Sequence, residues 1–222
     1  MRKCEYADLG RIGYGEACAI QRELVERRKA GVIPDQLVMV EHPPVITMGR
    51  NARRENLLSG EDALARAGIA LEETDRGGDV TYHGPGQVVG YPILDLREWR
   101  RDVVAYVRAL EEVLIKALGD CGITAGRAPG MTGVWTAGGK IAAIGVHISR
   151  WVTSHGFALN VDTDLEYFRH IIPCGLDKPV TSMRREGSTA SRSETKAAIR
   201  RHFAAVFDYE MVVREELTEK VS

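Results

Sequence analysis

The amino-acid sequence predicts an α/β (α+β) fold, a single domain in which a mixed β-sheet is flanked by helices. Three observations support this prediction. The chain has 222 residues, a length typical of one domain. Amphipathic helical segments occur near both ends and in the middle of the chain, and glycine-rich, β-prone segments lie between them. We therefore treat residues 1–222 as one domain with its own core.

Hydrophobic periodicity predicts the helices. The clearest apolar stripe begins after Asp102, a plausible N-cap, and another helical pattern is closed by Gly31. Helices are predicted over residues 15–30, 102–118 and 194–207, with shorter helical candidates at 56–67 and 165–170.

The strand-forming segments are interrupted by proline and glycine. Two apolar runs flank Pro43 and Pro44, and this break forbids one continuous central strand. Residues 69–96 and 130–162 alternate extended residues with glycines, which predicts strands joined by tight turns.

Composition excludes several classes of protein. Thirty basic and thirty-one acidic residues give a net charge of −1, which argues against a generally cationic nucleic-acid binder. No apolar run approaches the roughly 18 residues of a membrane span, and the N-terminus lacks the features of a signal or transit peptide. The four cysteines are far apart and form no CxxC pair. We therefore expect a cytoplasmic protein without a disulfide scaffold.

The segment 76–87, RGGDVTYHGPGQ, combines four glycines with polar side chains. Glycine lets the backbone adopt positive φ and approach a ligand closely. Arg76, Tyr82 and His83 lie among these glycines, so the segment predicts a ligand-binding loop. The alternative is a turn-rich hairpin whose Arg76 and His83 face solvent.

The segment 138–147, GGKIAAIGVH, places Lys140 between two glycines and an apolar run. A phosphate-binding loop needs Gly-x4-Gly-Lys-Ser/Thr, but Val134 and Ile141 occupy the positions of the first glycine and of the hydroxyl residue. Lys140 therefore either lies beside an anion in a desolvated site or carries its ammonium to water on a long stem. The pattern by itself favours the second possibility.

Cys174 stands between Pro173 and Gly175 after a short apolar stretch. This context predicts a turn with an approachable sulfur, which makes Cys174 the preferred candidate for a nucleophile. The alternative is a cysteine that only packs. A nearby ammonium would favour the thiolate, the reactive form.

The six histidines form no recognised zinc-binding pattern. His147 and His155 are spaced so that they could meet across a hairpin, but no further ligand pattern accompanies them. We expect no metal and no cofactor.

Four separated segments, taken together and in this order, resemble the lipoyl(octanoyl) transferase family of the lipoate-protein ligase B type. Weaker likeness extends through residues 42–50 and 91–96. The segments that carry the resemblance are RGGDVTYHGPGQ at 76–87, GGKIAAIGVHIS at 138–149, HGFALNV at 155–161 and IIPCGL at 171–176.

The resemblance implies a fold shared with the biotin and lipoate ligases and transfer of an octanoyl group to a lysine of a lipoyl domain, in lipoate biosynthesis. It implies that Cys174 accepts the acyl group and that Lys140 lowers the pKa of that thiol. The substrate-binding stretches implied by the family are Arg76, Gly77, Gly78, Asp79, Val80, Thr81, Tyr82 and His83; Ala143, Ile144 and Gly145; and Gly156, Phe157 and Ala158.

The partners implied by the resemblance are octanoyl-acyl carrier protein as donor, and lipoyl domains of 2-oxo acid dehydrogenases and the glycine cleavage H protein as acceptors. We expect a monomer that binds neither nucleic acid nor membrane. Four alternatives remain: an ATP-dependent lipoate or biotin ligase of the same fold, an amidotransferase between lipoyl domains, a non-catalytic lipoyl-domain or acyl-carrier binding module, and a thiol hydrolase.

Overall fold

The computed structural model describes residues 1–173 and 179–214. Their strands are β1 (Arg2–Arg11), β2 (Asp35–Glu41), β3 (Val45–Met48), β4 (Ala70–Glu73), β5 (Val80–His83), β6 (Gln87–Ile93), β7 (Val134–Thr136), β8 (Gly139–Ser149), β9 (Val152–Asn160) and β10 (Tyr209–Val213). The helices are α1 (Tyr14–Lys29), α2 (Glu61–Arg66), α3 (Val103–Asp120) and α4 (Arg192–Phe207), with short 3-10 helices at Arg54–Asn56 and Leu165–His170.

The strands form a large mixed sheet and a small one. The seven strands of the large sheet follow the order β10-β1-β2-β6-β9-β8-β7, and β4, β3 and β5 form the small sheet with β3 in the middle. Strand β1 runs parallel to both of its neighbours, whereas the pairs from β2 to β7 are antiparallel. The predicted mixed sheet is thus confirmed.

Helices cover both faces of the large sheet, so its central strands are buried on both sides. In β2, Leu37 and Met39 point into the cluster beneath α3 and α4, whereas Val38 and Val40 point into the cluster beneath α1. This division follows from the two-residue period of a strand. It explains why every residue of β2 is buried.

The long helices agree with their sequence signals. Asp102 is the N-cap of α3, where its carboxylate accepts a hydrogen bond of 2.9 Å from the amide of Ala105. Helix α4 begins two residues earlier than predicted because Ser191 and Glu194 form a capping box. Gly31, with φ of +71°, follows the end of α1.

The predicted helix over residues 56–67 is too long. The structure has a 3-10 turn that ends at Asn56 and a separate helix α2, and between them Leu57 is extended and pairs with Ile171. The break after Pro43 and Pro44 is confirmed, because β2 and β3 belong to different sheets.

Strands β8 and β9 form a long hairpin that positions much of the site. Its turn residues Arg150 and Trp151 both have positive φ, 50° and 68°, the backbone sign required by a two-residue hairpin turn of type I′. The resulting register places Gly145 opposite Gly156. In the described part of the chain, no helix combines the length and the apolar character that a membrane crossing requires.

Candidate active site

A cavity of about 500 Å³, its open mouth included, lies between the loop at residues 76–79 and strands β8 and β9. It gathers almost all of the predicted substrate-binding residues, together with Lys140. Its lining comprises Tyr14, Arg76, Gly77, Gly78, Asp79, Val80, Thr81, His83, Val89, Tyr91, Lys140, Ala143, Ile144, Gly145, His155, Gly156, Phe157 and Ala158.

Tyr82 is the one predicted substrate-binding residue that does not line this cavity. Its ring stacks on Tyr167 with centroids 5.0 Å apart and meets Phe168 edge-on, inside the core of the small sheet. These ring contacts keep the Tyr82 side chain in that core, although Val80, on the same face of β5, also reaches the cavity lining.

The glycine-rich loop lies directly against β8. The amide of Gly77 donates a 2.9 Å hydrogen bond to the carbonyl of Val146. A Cβ atom at position 145 would come within 2.8 Å of the Gly77 carbonyl oxygen, a distance that real side chains do not tolerate. Glycine at position 145 therefore permits the close approach of loop and strand that forms one wall of the cavity.

Arg76 is 7% exposed and fixes the path of the loop. Its Nη2 donates to the carbonyl oxygens of Thr47 and Asp79, each at 2.7 Å, and Nε donates to the Thr47 hydroxyl at 3.1 Å. The solvent-facing alternative for this residue is thus wrong. The Arg76 side chain joins the loop to the central strand of the small sheet.

Asp79 holds the other end of the loop. Its carboxylate accepts hydrogen bonds from the amides of Val80 and Arg53, at 2.7 and 3.1 Å, and from the side-chain amide of Asn56. These contacts give Asp79 a structural role beside its place in the cavity lining.

His83 is also 7% exposed and belongs to a buried aromatic cluster. Its ring stacks on Tyr14 at 5.9 Å and meets the ring of His42 at the same centroid distance. The Nε2 atom of His42 lies 2.7 Å from the Tyr91 hydroxyl. Burial, together with the nearby charges of His42 and Arg76, holds the pKa of His83 well below its ordinary value, so the imidazole is neutral at pH 7.

Sequence reasoning identified His83 but missed Tyr14, His42 and Tyr91. These three residues come from α1, the turn after β2, and β6, and only the folded chain brings them together. The sequence did contain a hint of two of them, because His42 and Tyr91 are the first residues of the two segments of weaker resemblance, 42–50 and 91–96.

The opposite wall is formed by β9, where glycine again permits close contact. The ring of Phe157 lies against Gly90 of β6, so closely that a Cβ at position 90 would overlap the ring. A Cβ at position 156 would overlap the Gly90 carbonyl. The wall from Gly156 to Ala158 therefore lies close against β6.

Lys140 lies near the start of β8, at one end of the cavity lining. Its Nζ is 5.5 Å from the centre of the Trp135 ring, within the range of a cation–π contact. Its backbone amide donates to the carbonyl of Pro179, and its carbonyl accepts from the amide of Thr181. Gly133, with φ of +114°, leaves room for the Lys140 side chain, since a Cβ there would lie 2.7 Å from Cε.

A smaller cavity of about 330 Å³ adjoins the first at Lys140 and is also lined by Pro173, Gln87 and Asn160. Cys174 follows Pro173 in the sequence and lies outside the described residues.

His147 and His155 meet across the hairpin through Asp75. The Nε2 atom of His155 lies 2.7 Å from Oδ1 of Asp75, and that of His147 lies 3.7 Å from Oδ2. Burial alone would raise the pKa of the Asp75 carboxyl, but the hydrogen bond and the charges of the two imidazoles outweigh it and keep this pKa below its ordinary value. Across residues 1–173 and 179–214, no three His, Cys, Asp or Glu side chains are grouped to hold a metal ion.

Comparison with known proteins is consistent with this geometry. Residues 13–204 match the family model described as the lipoyl protein ligase A/B catalytic domain. A protein of Solibacter usitatus named octanoyltransferase is 63% identical over 212 residues, which cover 96% of each chain.

Solved structures share the fold at low sequence identity. A bipartite lipoate protein ligase from Thermoplasma acidophilum superimposes with a TM-score of 0.80 at 18% identity, covering 99% of this chain and 89% of that one. The biotin protein ligase of Aquifex aeolicus reaches a TM-score of 0.53 at 12% identity, covering 94% of this chain and 70% of that one. The expected ligase-type fold is thus confirmed.

Proposed function

Because this chain belongs to the lipoyl protein ligase A/B catalytic-domain family, and within it to the octanoyltransferases, we propose that it transfers an octanoyl group through Cys174. The donor is octanoyl-acyl carrier protein, and the acceptor is a lysine of a lipoyl domain, in 2-oxo acid dehydrogenases or the glycine cleavage H protein. Lys140 is the cation that prepares the Cys174 thiolate.

One observation carries the proposal. The chain on both sides of residues 174–178 adjoins Lys140: Pro173 lines a cavity together with Lys140, and the carbonyl of Pro179 accepts a 2.9 Å hydrogen bond from the Lys140 amide. Consecutive Cα atoms are about 3.8 Å apart. A nucleophile directly after Pro173 therefore starts from a residue that already borders the lysine.

In the first step the Cys174 thiolate attacks the carbonyl carbon of the donor thioester. The bond from that carbon to the carrier sulfur breaks, and the carrier leaves as a thiol with the proton given up by the Lys140 ammonium. The acyl group is then held as a thioester on Cys174. Exchange of one thioester for another changes the free energy little, and covalent catalysis divides the transfer into two easier halves.

In the second step the amine of the acceptor lysine attacks the acyl-cysteine carbonyl. An amide bond forms, the carbon–sulfur bond breaks, and the neutral Lys140 amine takes the proton released by the attacking nitrogen. The enzyme returns to the thiolate–ammonium pair. Because a thioester is converted into an amide, the step runs downhill without ATP.

Electrostatics favours this pair. An ammonium and a thiolate 4 Å apart attract by about 4 kcal/mol at an effective dielectric constant near 20, and desolvation offsets part of this. The attraction that remains lowers the pKa of the thiol, because it favours the charged form of the sulfur.

The glycine-lined cavity suits the acyl chain. Its walls are the loop at 76–79, residues 143–145 of β8 and residues 156–158 of β9. Apolar side chains such as Ile144, Phe157 and Ala158 lie on these walls, beside exposed backbone at the glycines. We expect backbone amides of these walls to donate hydrogen bonds to the tetrahedral oxyanion, each worth about 3–4 kcal/mol.

Basic side chains provide a surface for an acidic carrier protein. Five arginines are exposed: Arg50 and Arg53 beside the loop at 76–79, Arg54 and Arg169 in the two 3-10 helices, and Arg150 at the β8–β9 turn. A charge-guided encounter predicts that the KM for the carrier substrate rises with salt, because salt screens exposed charges. A KM that does not change with salt contradicts this docking. We further propose that the enzyme acts as a cytoplasmic monomer without a cofactor.

The decisive experiment is intact-mass measurement after incubation with octanoyl-acyl carrier protein in the absence of ATP. We expect one octanoyl adduct, removed by hydroxylamine and located on Cys174 by peptide mapping. Cys174→Ser should abolish the thioester, whereas the matched variant Cys18→Ser should keep it. An adduct on another cysteine, or no adduct, contradicts the proposal.

Lys140 is tested separately by two variants. Lys140→Ala should decrease acylation of Cys174 at least tenfold, since the thiolate loses its cation. Lys140→Arg should restore the charge without efficient proton transfer, so acylation recovers more than transfer to the lipoyl domain does. Near-wild-type rates in both variants contradict this role.

The ligase alternative is supported by the shared fold alone. A ligase would require a nucleotide to activate the acyl group, so transfer from the carrier thioester without ATP excludes it. Transfer from a carrier thioester, rather than from an octanoylated lipoyl domain, likewise excludes the amidotransferase alternative.

A further inference from the structure

Two of the sequence motifs contain a buried polar residue that the proposed transfer does not use. The motif at 76–87 ends at Gln87, and Asn160 is the last polar residue of the motif at 155–161. The two residues are register partners in β6 and β9. They are 2% and 4% exposed, and both line the smaller cavity that Lys140 also lines.

The side chains of these two residues belong to a chain of hydrogen bonds with a fixed direction. Nε2 of Gln87 donates to Oδ1 of Asn160 at 2.9 Å and to the carbonyl of Tyr82 at 3.0 Å. Oε1 of Gln87 accepts from Nδ1 of His83 at 3.1 Å. Nδ2 of Asn160 donates in turn to the carbonyl of Thr181 at 3.0 Å. Because each amide nitrogen faces a backbone carbonyl, which can only accept, neither side-chain amide can be reversed.

Thr181 belongs to a segment that takes the place of β9 beside Lys140. The pairing of β8 with β9 ends at Ala142. Two residues earlier on β8, Lys140 pairs instead, in parallel, with the segment 179–181. The amide of Lys140 donates to the carbonyl of Pro179 at 2.9 Å, and its carbonyl accepts from the amide of Thr181 at 3.0 Å. On this side the backbone of the lysine is therefore held by residues 179–181.

Asn160 fastens the same segment to the end of β9 at two points. Its side chain donates to the carbonyl of Thr181, and its backbone carbonyl accepts from the amide of Met183 at 2.9 Å. Only the first of these bonds depends on the identity of the side chain. Thr181 thus has its carbonyl on Asn160 and its amide on Lys140, so this one residue links the two.

We propose that Asn160 is a positioning residue for Lys140: its side-chain amide holds Thr181, and through Thr181 it fixes the backbone from which the lysine side chain extends. The inference rests on the proposed function for the catalytic role of Lys140. A displacement of about 1 Å in a catalytic group can decrease a rate about 10²-fold, so loss of this hold should be visible in the chemical step.

Two variants remove the hold, and a third serves as the matched control. Asn160→Ala removes the bond to Thr181 but keeps the backbone bond to Met183. Asn160→Ser, whose hydroxyl is one bond shorter than the amide, serves for the same measurements if the alanine variant does not fold. The control is Gln36→Ala. Gln36 is 1% exposed and its Nε2 also donates to a backbone carbonyl, that of Pro34 at 2.9 Å, but it lies in β2 and lines neither cavity.

Amide hydrogen exchange, measured by NMR, tests the positioning without catalysis. We expect the amides of Lys140 and Thr181 to exchange at least tenfold faster in Asn160→Ala than in the wild type, because the bonds between the two backbones open more often. Both rates are referred to the amide of Leu110 in α3, which corrects for a change in global stability. In Gln36→Ala the referred rates should stay within twofold of the wild type.

Single-turnover acylation by octanoyl-acyl carrier protein tests the consequence for catalysis. In Asn160→Ala we expect the rate constant at saturating donor, per folded molecule, to fall at least tenfold. The donor concentration that gives half of the maximal rate should stay within twofold, because the lysine and not the docking surface is displaced. Gln36→Ala should keep both values.

A double variant shows whether Asn160 acts through Lys140. In a protein that already carries Lys140→Ala, Asn160→Ala should decrease the rate less than twofold further, since the lysine that it positions is gone; independent effects would multiply. The same comparison is made with the rate at which iodoacetamide alkylates Cys174, located by peptide mapping, because alkylation stays measurable where acylation is too slow.

The outcomes separate the two proposals. Unchanged exchange at Lys140 and Thr181 in a folded Asn160 variant, an unchanged acylation rate, or losses that multiply in the double variant would overturn the positioning role. Absence of a thioester on the wild-type enzyme, together with faster exchange in the variant, would overturn the proposed function and leave the hold of Asn160 on the Lys140 backbone supported.

Discussion

The layer formed by α3 and α4 and the wall formed by β8 and β9 are built in contrasting ways. Beneath the helices, large apolar side chains such as Leu110, Phe203 and Phe207 are completely buried. In the hairpin wall, Gly145 and Gly156 lie where no side chain fits. The helical layer is stabilised by large side chains that fill its interior. The hairpin wall has its shape because glycine lets neighbouring backbone segments approach closely. The contrast predicts that substitutions in the layer affect stability, and that substitutions in the wall affect binding.

The largest expected effect on stability is in the helical layer. Phe203→Ala removes a buried ring that contacts Phe207 at 4.6 Å between centroids. Creation of this cavity should decrease the free energy of unfolding by about 3–5 kcal/mol, as measured by urea denaturation. Octanoyl transfer per folded molecule should stay near the wild-type value; a specific loss of transfer would break the comparison.

Gly145→Ala tests the wall. The added methyl would lie 2.8 Å from the Gly77 carbonyl, so the loop must shift, at a cost of about 1–3 kcal/mol in stability. Transfer should fall at least tenfold because the cavity narrows. Gly119→Ala is the matched control: it lies in α3 with open space around it and should stabilise the protein by about 0.5–1 kcal/mol. Full transfer by Gly145→Ala would contradict the role of the wall.

The buried histidines around the cavity predict a dependence of stability on pH. Burial lowers the pKa of His42, His83 and His155, so below about pH 6.5 the unfolded chain binds more protons than the folded one. The free energy of unfolding should therefore decrease as the pH falls from 7 toward 5, by up to about 1.4 kcal/mol per pH unit for each histidine. His83→Gln should reduce this slope by one histidine's share, as measured by urea denaturation at pH 7, 6 and 5. An unchanged slope would contradict the assignment.

The smallest effect is expected at the start of α4, far from the cavity. Ser191→Ala removes the side chain of the capping box with Glu194 and should cost about 1 kcal/mol of stability, within the usual range for such caps. Thermal denaturation measures the loss. Octanoyl transfer should be unaffected, as expected for a substitution in the helical layer and not in the wall of the cavity.

The same contrast explains which features the sequence could predict. Helices α1, α3 and α4 follow from local signals, namely apolar periodicity and caps such as Asp102. Strands β1 and β10 were not identified: β1 is rich in charged residues and has no continuous apolar run, and β10 is an edge strand that pairs only with β1. Their pairing joins the two ends of the described chain and has no local signal.

The sequence predicted which stretches form the site, but which individual side chains line the cavity could be seen only in the folded structure. Motifs identified the loop and both strands of the wall. They did not identify Tyr14 and Tyr91, which also line the cavity but belong to α1 and β6. Tyr82 shows the limit of predicting a whole stretch: its ring packs on Tyr167 and Phe168 in the core of the small sheet. For Cys174 and Lys140, the catalytic roles stay predictions.

The turn at Arg150 and Trp151 limits how such an enzyme can diverge. Its two residues leave the hairpin no slack, so one residue inserted into β8 between Lys140 and the turn, and not absorbed as a bulge, would turn Lys140 away from the cavity. New substrate preferences in this architecture must therefore arise by exchange of side-chain bulk at fixed positions, and not by lengthening or shortening the strands.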